Sequence, residues 1–334
     1  PRVIRIGRRI QIPSNGSRAT IGWRPFYRDA VRPICRERFD VIHVHSPLEP
    51  FLPWAVLREA RAPCVGTFHN AGPVHWGYRH FRRGLQEFAD RLDARTAVSR
   101  CAARYVGRHF PGPYRIVPNG VDTARFRPNG ASRRGRRPVL LFVGRLEKRK
   151  GIDLLVEGVA RASEGRSDPP RLVVVGDGSL RHRLLRRASR LRVDLRWIGP
   201  VAPEELPRIY RASDLFLAPA LFGESFGIVL LEALASGVPV VASAIEGYAE
   251  LLDRCGAAVT FRPGDPDALA AAIARGLDAT REERVRRAAR GFAAEYGWGR
   301  LVLRMEAVYS AVLGGAQRSE KIVEVPSTSN GGLR

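Results

Sequence analysis

The chain has 334 residues, more than one hydrophobic core ordinarily serves, so two domains are expected. Hydrophobic residues at 45% and charged residues at 27% exclude a mostly disordered chain, a fibre and a multi-span membrane protein. Lys and Arg outnumber Asp and Glu by 56 to 33, a net charge of +23, and only Lys148, Lys150 and Lys321 are lysines. An arginine-rich coding bias explains such a balance. So does an anionic partner: nucleic acid, an acidic membrane or a phosphorylated substrate. Residues 1–134 carry +16 and residues 135–334 carry +7, which puts the basic face on the first domain.

In chain order, short apolar runs alternate with helical patterns. Strand-like runs fall at 41–44, 64–68, 94–98, 115–117, 139–143, 172–175, 195–198, 215–218 and 238–242. Nearly all are continuous rather than alternating, as parallel strands buried on both faces require. Helical patterns fall at about 50–61, 77–91, 99–109, 151–163, 179–192, 203–212, 225–235, 265–278, 280–295 and 298–313. The rhythm predicts an α/β protein of two Rossmann-like, doubly wound domains. The polar, turn-rich stretch 128–138 reads as the linker. The expected division is 1–134, 135–296, a helix at 297–313 and a flexible tail at 314–334. Cys35, Cys64, Cys101 and Cys255 are far apart in sequence, so reduced, buried thiols are expected rather than a zinc or redox pair. No run reaches the length of a spanning helix. The chain opens on Pro1 with no secretory leader pattern.

In α/β sheets ligands bind beyond the carboxyl ends of the strands. After 139–143 comes Gly144-Arg145-Leu146-Glu147-Lys148-Arg149-Lys150-Gly151, where Arg145 and Lys150 precede a helix start and suit an anion. After 215–218, Gly223 and Gly227 allow close backbone approach, and Ser225 reads as a helix N-cap. Glu224 and Glu232 can then face one cleft and bind hydroxyls. His69 follows the strand at 64–68, while His43 and His45 share one side of their strand and read as structural. Two histidines at that spacing without a carboxylate make a weak metal site. Gly176-Asp177-Gly178 begins a dinucleotide fingerprint, but Arg181 stands where the third glycine belongs. Arg24, Arg28, Arg32 and Arg36 recur every four residues and form a ridge suited to an anionic bilayer or to plain solvation, with Pro33 interrupting the helix or marking its start.

The strings DVIHVHSP (40–47), TFHN (67–70), AVS (97–99), VPNGVD (117–122), FVGRLEKRKG (142–151), VVGDG (174–178), WIGPV (197–201) and GESFGIVLLEALASGVPVVAS (223–243) resemble the family 4 retaining glycosyltransferases of the GT-B fold. Within it the likeness is greatest to phosphatidylinositol α-mannosyltransferases. The resemblance implies two Rossmann-like domains facing a cleft, the second holding a nucleotide-sugar, with GDP-mannose as co-substrate and no tightly bound cofactor. Gly144, Arg145 and Lys150 would hold the diphosphate, Glu232 the ribose, and Glu224 the sugar ring. Backbone at Ser225, Phe226, Gly227 and Ile228 would meet phosphates and sugar, Val201 would lie near the base, and His69 beside the transferred sugar. Arg24, Arg28, Arg32 and Arg36 would meet the membrane or acceptor. A divalent metal is compatible, but no protein ligands for one are identified. The acceptor would be lipid-linked or a polyol, and the location cytoplasmic, peripheral on the inner face of the membrane. The family opens with a strand and a Gly-rich loop that precede the motifs found here, so the first domain is expected to lack its opening strands. A UDP-sugar donor, or a non-catalytic fragment, are the alternatives. A specific nucleic-acid binder lacks a recognisable module, and a dinucleotide oxidoreductase is opposed by Arg181.

Overall fold

The computed structural model describes residues 3–14, 17–24, 26–72, 76–128, 137–280, 282–314 and 322–325. The chain divides into two compact units, Pro1–Pro118 with Val302–Arg334, and Asn119–Leu301. The division precedes the expected linker at 128–138, most of which lies outside the described residues.

Unit 1 opens with a two-stranded antiparallel hairpin, β1 (Arg8–Ser14) and β2 (Ser17–Trp23). There follow α1 (Tyr27–Cys35), β3 (Ile42–His45), α2 (Leu52–Glu59), β4 (Cys64–Phe68), α3 (Trp76–His80), α4 (Arg82–Asp90), β5 (Ala94–Ala97), α5 (Arg100–Gly107) and β6 (Gly112–Ile116). Strands β3 to β6 lie side by side in chain order and parallel. The buried run of β4 is continuous, as a strand covered on both faces requires. Ser99, the end of the AVS string, caps α5 by accepting from the Ala102 amide at 3.0 Å. The helix pattern read over 77–91 is two helices, broken at Phe81. In α1 the buried face is Tyr27, Val31 and Cys35, spaced by four as an amphipathic helix demands. Pro33 sits in its last turn rather than at its start.

Unit 2 carries β7 (Val139–Val143), a 3₁₀ turn at Lys148–Lys150, α6 (Ile152–Ser163), β8 (Arg171–Val175), α7 (Arg181–Arg190), β9 (Leu195–Gly199), α8 (Leu206–Arg211), β10 (Leu215–Ala218), α9 (Ile228–Ala235), β11 (Val240–Ser243), α10 (Glu246–Leu252), β12 (Ala258–Phe261), α11 (Pro266–Ala279) and α12 (Glu283–Ala294). Its six-stranded parallel sheet has the order β12-β11-β10-β7-β8-β9. The chain therefore builds outward on one side of β7, then returns to build outward from β10 on the other. The loops after β7 and β10 flank this reversal, the place where α/β sheets hold ligands. The core beneath includes Leu140, Phe142, Leu155, Leu172, Leu215 and Leu217.

The last helix, α13 (Trp298–Gly314), has its first turn in unit 2 and the rest in unit 1. Val308 is buried with Val65 and Val117, and Met305, Tyr309 and Val312 pack against them. Most of the tail expected to be flexible lies outside the described residues. Within it, however, Ile322–Val325 is a strand, β13, paired antiparallel with β6. The Ile-Val-Glu-Val sequence has the β-propensity to take up the amide and carbonyl groups along β6. All four cysteines are free and buried. Among the described residues no helix is long and apolar enough to cross a membrane.

Candidate functional site

In unit 2 the turn after β7 is fastened to the turn after β8 by backbone. The Gly144 amide donates to the Val175 carbonyl at 3.0 Å, and Leu146 donates to Asp177 at 2.9 Å. A Cβ on Gly176 would stand 2.1 Å from the Gly144 carbonyl oxygen, and one on Gly178 2.5 Å from that of Leu146. These glycines are needed to seat the neighbouring loop. At the third fingerprint position Arg181 lies over the Trp197 ring, 4.0 Å from its centroid. The motif is thus a loop-packing device, not a complete dinucleotide turn.

The loop after β7 then meets the loop after β10. The Leu221 amide donates to the Arg149 carbonyl at 2.7 Å, and Gly151, in the left-handed region at φ 71°, would carry a Cβ 1.9 Å from the Pro219 carbonyl oxygen. This contact brings four expected residues into one neighbourhood. Lys150 Nζ lies 2.8 Å from Glu224 Oε1, and Arg149 pairs with the same oxygen. Arg149 also contacts Glu147 at 3.3 Å and donates to the Gly223 carbonyl at 3.3 Å. Arg145, half exposed, pairs with Glu147 at 3.1 Å. Gly144 flanks the group: a Cβ there would stand 3.3 Å from the Phe142 ring and 3.9 Å from Lys150 Cε. Lys150, Val143, Pro219, Val229 and Tyr248 line one small hollow. Arg149 and Tyr248 were not singled out from the sequence. Arg149 was submerged in a basic run, and Tyr248 sits on α10, remote in sequence. Burial raises the Tyr248 hydroxyl well above its ordinary range, with the Glu224 charge next in effect.

Helix α9 starts later than Ser225. Its N-cap is Gly227 at φ 96°, and no side chain caps it. A Cβ on Gly227 would stand 2.7 Å from the Tyr248 ring, so close packing and the left-handed turn select glycine over the usual hydroxyl cap. The first-turn amides of Ile228 and Val229 precede the intrahelical ladder. Phe226 is buried, edge-on to Tyr296 at 6.0 Å. Val201 lies just past the end of β9.

Glu232 does not share the partners of Glu224. Its Oε2 accepts from the Tyr210 hydroxyl at 2.8 Å, and no hydrogen bond or ion pair joins the two acids among the described residues. Burial raises the Glu232 carboxyl above the usual range, against the Tyr210 bond and the Arg125 charge. Arg125 and Tyr210 are further residues that spacing did not reveal.

In unit 1 the carboxyl ends of β3 and β4 gather three histidines. His45 Nδ1 and His69 Nε2 are 2.8 Å apart with rings stacked at 5.0 Å, and His43 stacks on His45 at 4.5 Å. Burial pulls His69 and His43 down to about 4 and lowers His45. Beside His69, the Asn70 amide donates to Glu49 Oε1 at 3.4 Å, and burial raises the Glu49 carboxyl. Among the described residues, no group of three or more His, Cys, Asp or Glu is arranged to hold a metal ion. On α1, Arg28 and Arg32 both reach Glu59 of α2, so two arginines of the expected basic ridge share one carboxylate, which offsets one of their two charges. Arg24 and Arg36 are exposed.

Residues 126–292 match the model of the glycosyl transferases group 1, and residues 1–125 match that of glycosyltransferase family 4. The chain is 35% identical over 320 residues to the phosphatidyl-myo-inositol mannosyltransferase of Mycobacterium tuberculosis, covering 92% of this chain and 83% of the relative. It is 34% identical over 304 residues to the D-inositol 3-phosphate glycosyltransferase of Geodermatophilus obscurus, covering 82% and 66%. Its fold is similar to that of Anabaena Alr3699/HepE, solved in complex with UDP-glucose, with a TM-score of 0.70, 20% identity, and coverage of 86% and 82%. The chain belongs to the family 4 (group 1) glycosyltransferases, transferase enzymes with the two Rossmann-like units of the GT-B fold.

Proposed function

We propose that the enzyme transfers mannose from GDP-mannose to a hydroxyl of an inositol phospholipid, with retention of anomeric configuration. The observation that carries the donor reading is the meeting of Arg149, Lys150 and Glu224 at the reversal of the unit 2 sheet, beside the uncapped start of α9. Cations and free amides in one place suit a diphosphate. Lys150 and Arg145 take the diphosphate, with the Ile228 and Val229 amides. Arg149 keeps Glu224 oriented toward the sugar hydroxyls. Glu232, fixed by Tyr210, takes the ribose, and Val201 lies at the base. In unit 1, His69 serves the transferred sugar.

In the reaction the bond from the sugar C1 to the diphosphate oxygen breaks and the bond from C1 to the acceptor oxygen forms on the same face. The acceptor proton passes to the departing diphosphate, whose growing charge the cations stabilise. The mannosyl donor and the phosphatidylinositol acceptor are suggested by the names of the mycobacterial relatives. A second reading, transfer to an inositol phosphate, is favoured by the Geodermatophilus relative.

We assign the encounter with an anionic membrane to unit 1. Around the break between α3 and α4, Arg79, Phe81, Arg82 and Arg83 are all exposed, Phe81 by 58%. With Arg58 and Trp54 they line an open groove. An exposed aromatic ringed by arginines suits the interface of an anionic bilayer.

The test incubates the chain with labelled GDP-mannose or UDP-glucose and either phosphatidylinositol vesicles or inositol 3-phosphate. A mannosyl lipid with an α-anomeric centre, read by one-bond carbon–proton coupling, is expected. Transfer only from UDP-glucose, or only to the soluble acceptor, would replace the donor or the acceptor assignment.

A further inference from the structure

We infer that His45 is a positioning residue for His69: through its Nδ1 it decides which nitrogen of His69 carries the proton and how that ring is presented. The inference rests on the reading that His69 serves the transfer reaction. Strand parity creates the arrangement. His43 and His45 lie two apart on β3, and His45 is in register with Thr67 on β4. His69 lies two beyond Thr67, and Thr67 is in register with Thr96 on β5. Side chains two apart share a face, so all five stand on one face of the sheet.

The network has a direction. The Gly66 carbonyl can only accept, so the Thr96 hydroxyl, 3.3 Å away, donates to it. The Thr96 oxygen then accepts from Thr67 at 2.5 Å. The Thr67 oxygen is left to accept from His43 Nε2 at 2.6 Å, and His43 Nδ1 accepts from the Tyr309 hydroxyl at 2.8 Å. His43 is thus a neutral ring with its single proton on Nε2. This fixed ring is the surface on which His45 stacks, at 4.5 Å and 25°. His45 cannot turn without losing both that stack and its 2.8 Å contact with His69 Nε2.

Between two neutral imidazole nitrogens at that distance lies one proton. If His45 donates it, His69 carries its own proton on Nδ1 and offers a donor there. If His69 donates, its Nδ1 is an acceptor. Either way the tautomer of His69 is tied to that of His45: a proton on His45 Nδ1 goes with one on His69 Nδ1, and a proton on His45 Nε2 goes with one on His69 Nε2. Removing the Nδ1 of His45 releases both the tautomer and the ring angle without touching His69.

The experiment compares the full chain with His69→Ala, His45→Leu and His45→Asn. Asparagine keeps a polar atom where Nδ1 stands, whereas leucine fills the volume without one. Steady-state transfer from GDP-mannose is measured with imidazole ¹⁵N shifts of His69. We expect His45→Leu to lower kcat about 3- to 10-fold, the worth of one hydrogen bond, with the donor KM within about two-fold. The His69 shifts should move as its tautomer balance is released from that of His45, and His45→Asn should restore both readouts. Unchanged kcat and unchanged ¹⁵N shifts in His45→Leu overturn the positioning, as does a loss that asparagine fails to rescue. An unchanged kcat in His69→Ala overturns the role of His69 and, with it, the catalytic consequence of His45. The ¹⁵N shifts then still report whether His45 sets the tautomer, so the two failures are told apart.

Discussion

Lys150 and Glu224 pair at 2.8 Å, both side chains being only about one-eighth exposed (13% and 12%). In so sheltered a place a lysine charge acts on a departing diphosphate far more strongly than it would in water. Lys150→Ala is therefore expected to lower kcat by about 10²- to 10³-fold, with unfolding temperature nearly unchanged, as measured by transfer kinetics and calorimetry. Retained kcat would place the leaving-group charge elsewhere. The histidines of unit 1 give a stability prediction. Burial lowers His43 from its ordinary 6.5 to about 4. Between those values the unfolded chain binds a proton that the folded chain refuses, so stability is complete above about 6.5 and falls as pH drops toward 4. Partial exposure reduces the loss to roughly 1–2 kcal/mol per histidine. Urea midpoints at pH 7.0, 5.5 and 4.5 should fall more steeply for the native chain than for His43→Asn, and parallel slopes would show that His43 is protonated without cost.

At the scale of elements, the candidate site of unit 2 is held by loops whose backbones touch. On α10, a Cβ at Gly247 would stand 2.1 Å from the Glu224 carbonyl oxygen. Backbone meeting backbone cannot relax by turning a rotamer, so Gly247→Ala must displace the 219–227 loop. We expect a melting temperature several degrees lower, from about 1–3 kcal/mol of overpacking, and GDP-mannose binding weakened about tenfold or more. Gly256→Ala is the control: its nearest neighbour would be 3.9 Å away, and its effect should stay within about 0.5 kcal/mol. Equal effects in the two variants would mean that this contact does not set the loop. The same loops explain what the sequence made legible. Strands β4, β7 and β10 are read to the residue because they are continuous apolar runs covered on both faces. Strand β12, four residues long at the sheet edge, and the seven-residue α10 carry too little periodicity to stand out. Hairpin β1–β2 went unread although Asn15-Gly16, a hairpin signal, lies between its strands. Gly144, Arg145, Lys150 and Glu224 were legible because each follows a strand end in a distinctive string. Arg149 and Tyr248 were not, since their roles exist only once the β7 and β10 loops meet. Ser225 misled because the statistical preference for a hydroxyl N-cap yields here to a left-handed glycine packed against Tyr248.

Over the whole molecule, the net charge is +23, of which +16 lies in the first 134 residues, and it is useful only where it is not spent internally. Arg28 and Arg32 share the Glu59 carboxylate, which cancels one of their two charges. Arg79, Arg82 and Arg83 are exposed and form no ion pair among the described residues. Their field is also felt locally, since Arg82 and Arg108 reinforce the burial that lowers His109. An arginine near an anionic bilayer contributes about 1 kcal/mol, so replacing the three by Gln should weaken binding to phosphatidylinositol-containing vesicles by roughly 100-fold. Replacing Arg28 and Arg32 should matter less, because only two charges are lost and both guanidiniums are held toward Glu59 rather than presented to lipid phosphates. Raising ionic strength from about 0.05 to 0.5 M shortens the screening length to a few ångströms and should release most of the bound protein, leaving the contribution of Phe81. Vesicle co-sedimentation separates the cases. Salt-insensitive binding, or a loss confined to the Arg28 and Arg32 variant, would move the membrane face back to α1 and leave the arginines around Phe81 as solvated surface.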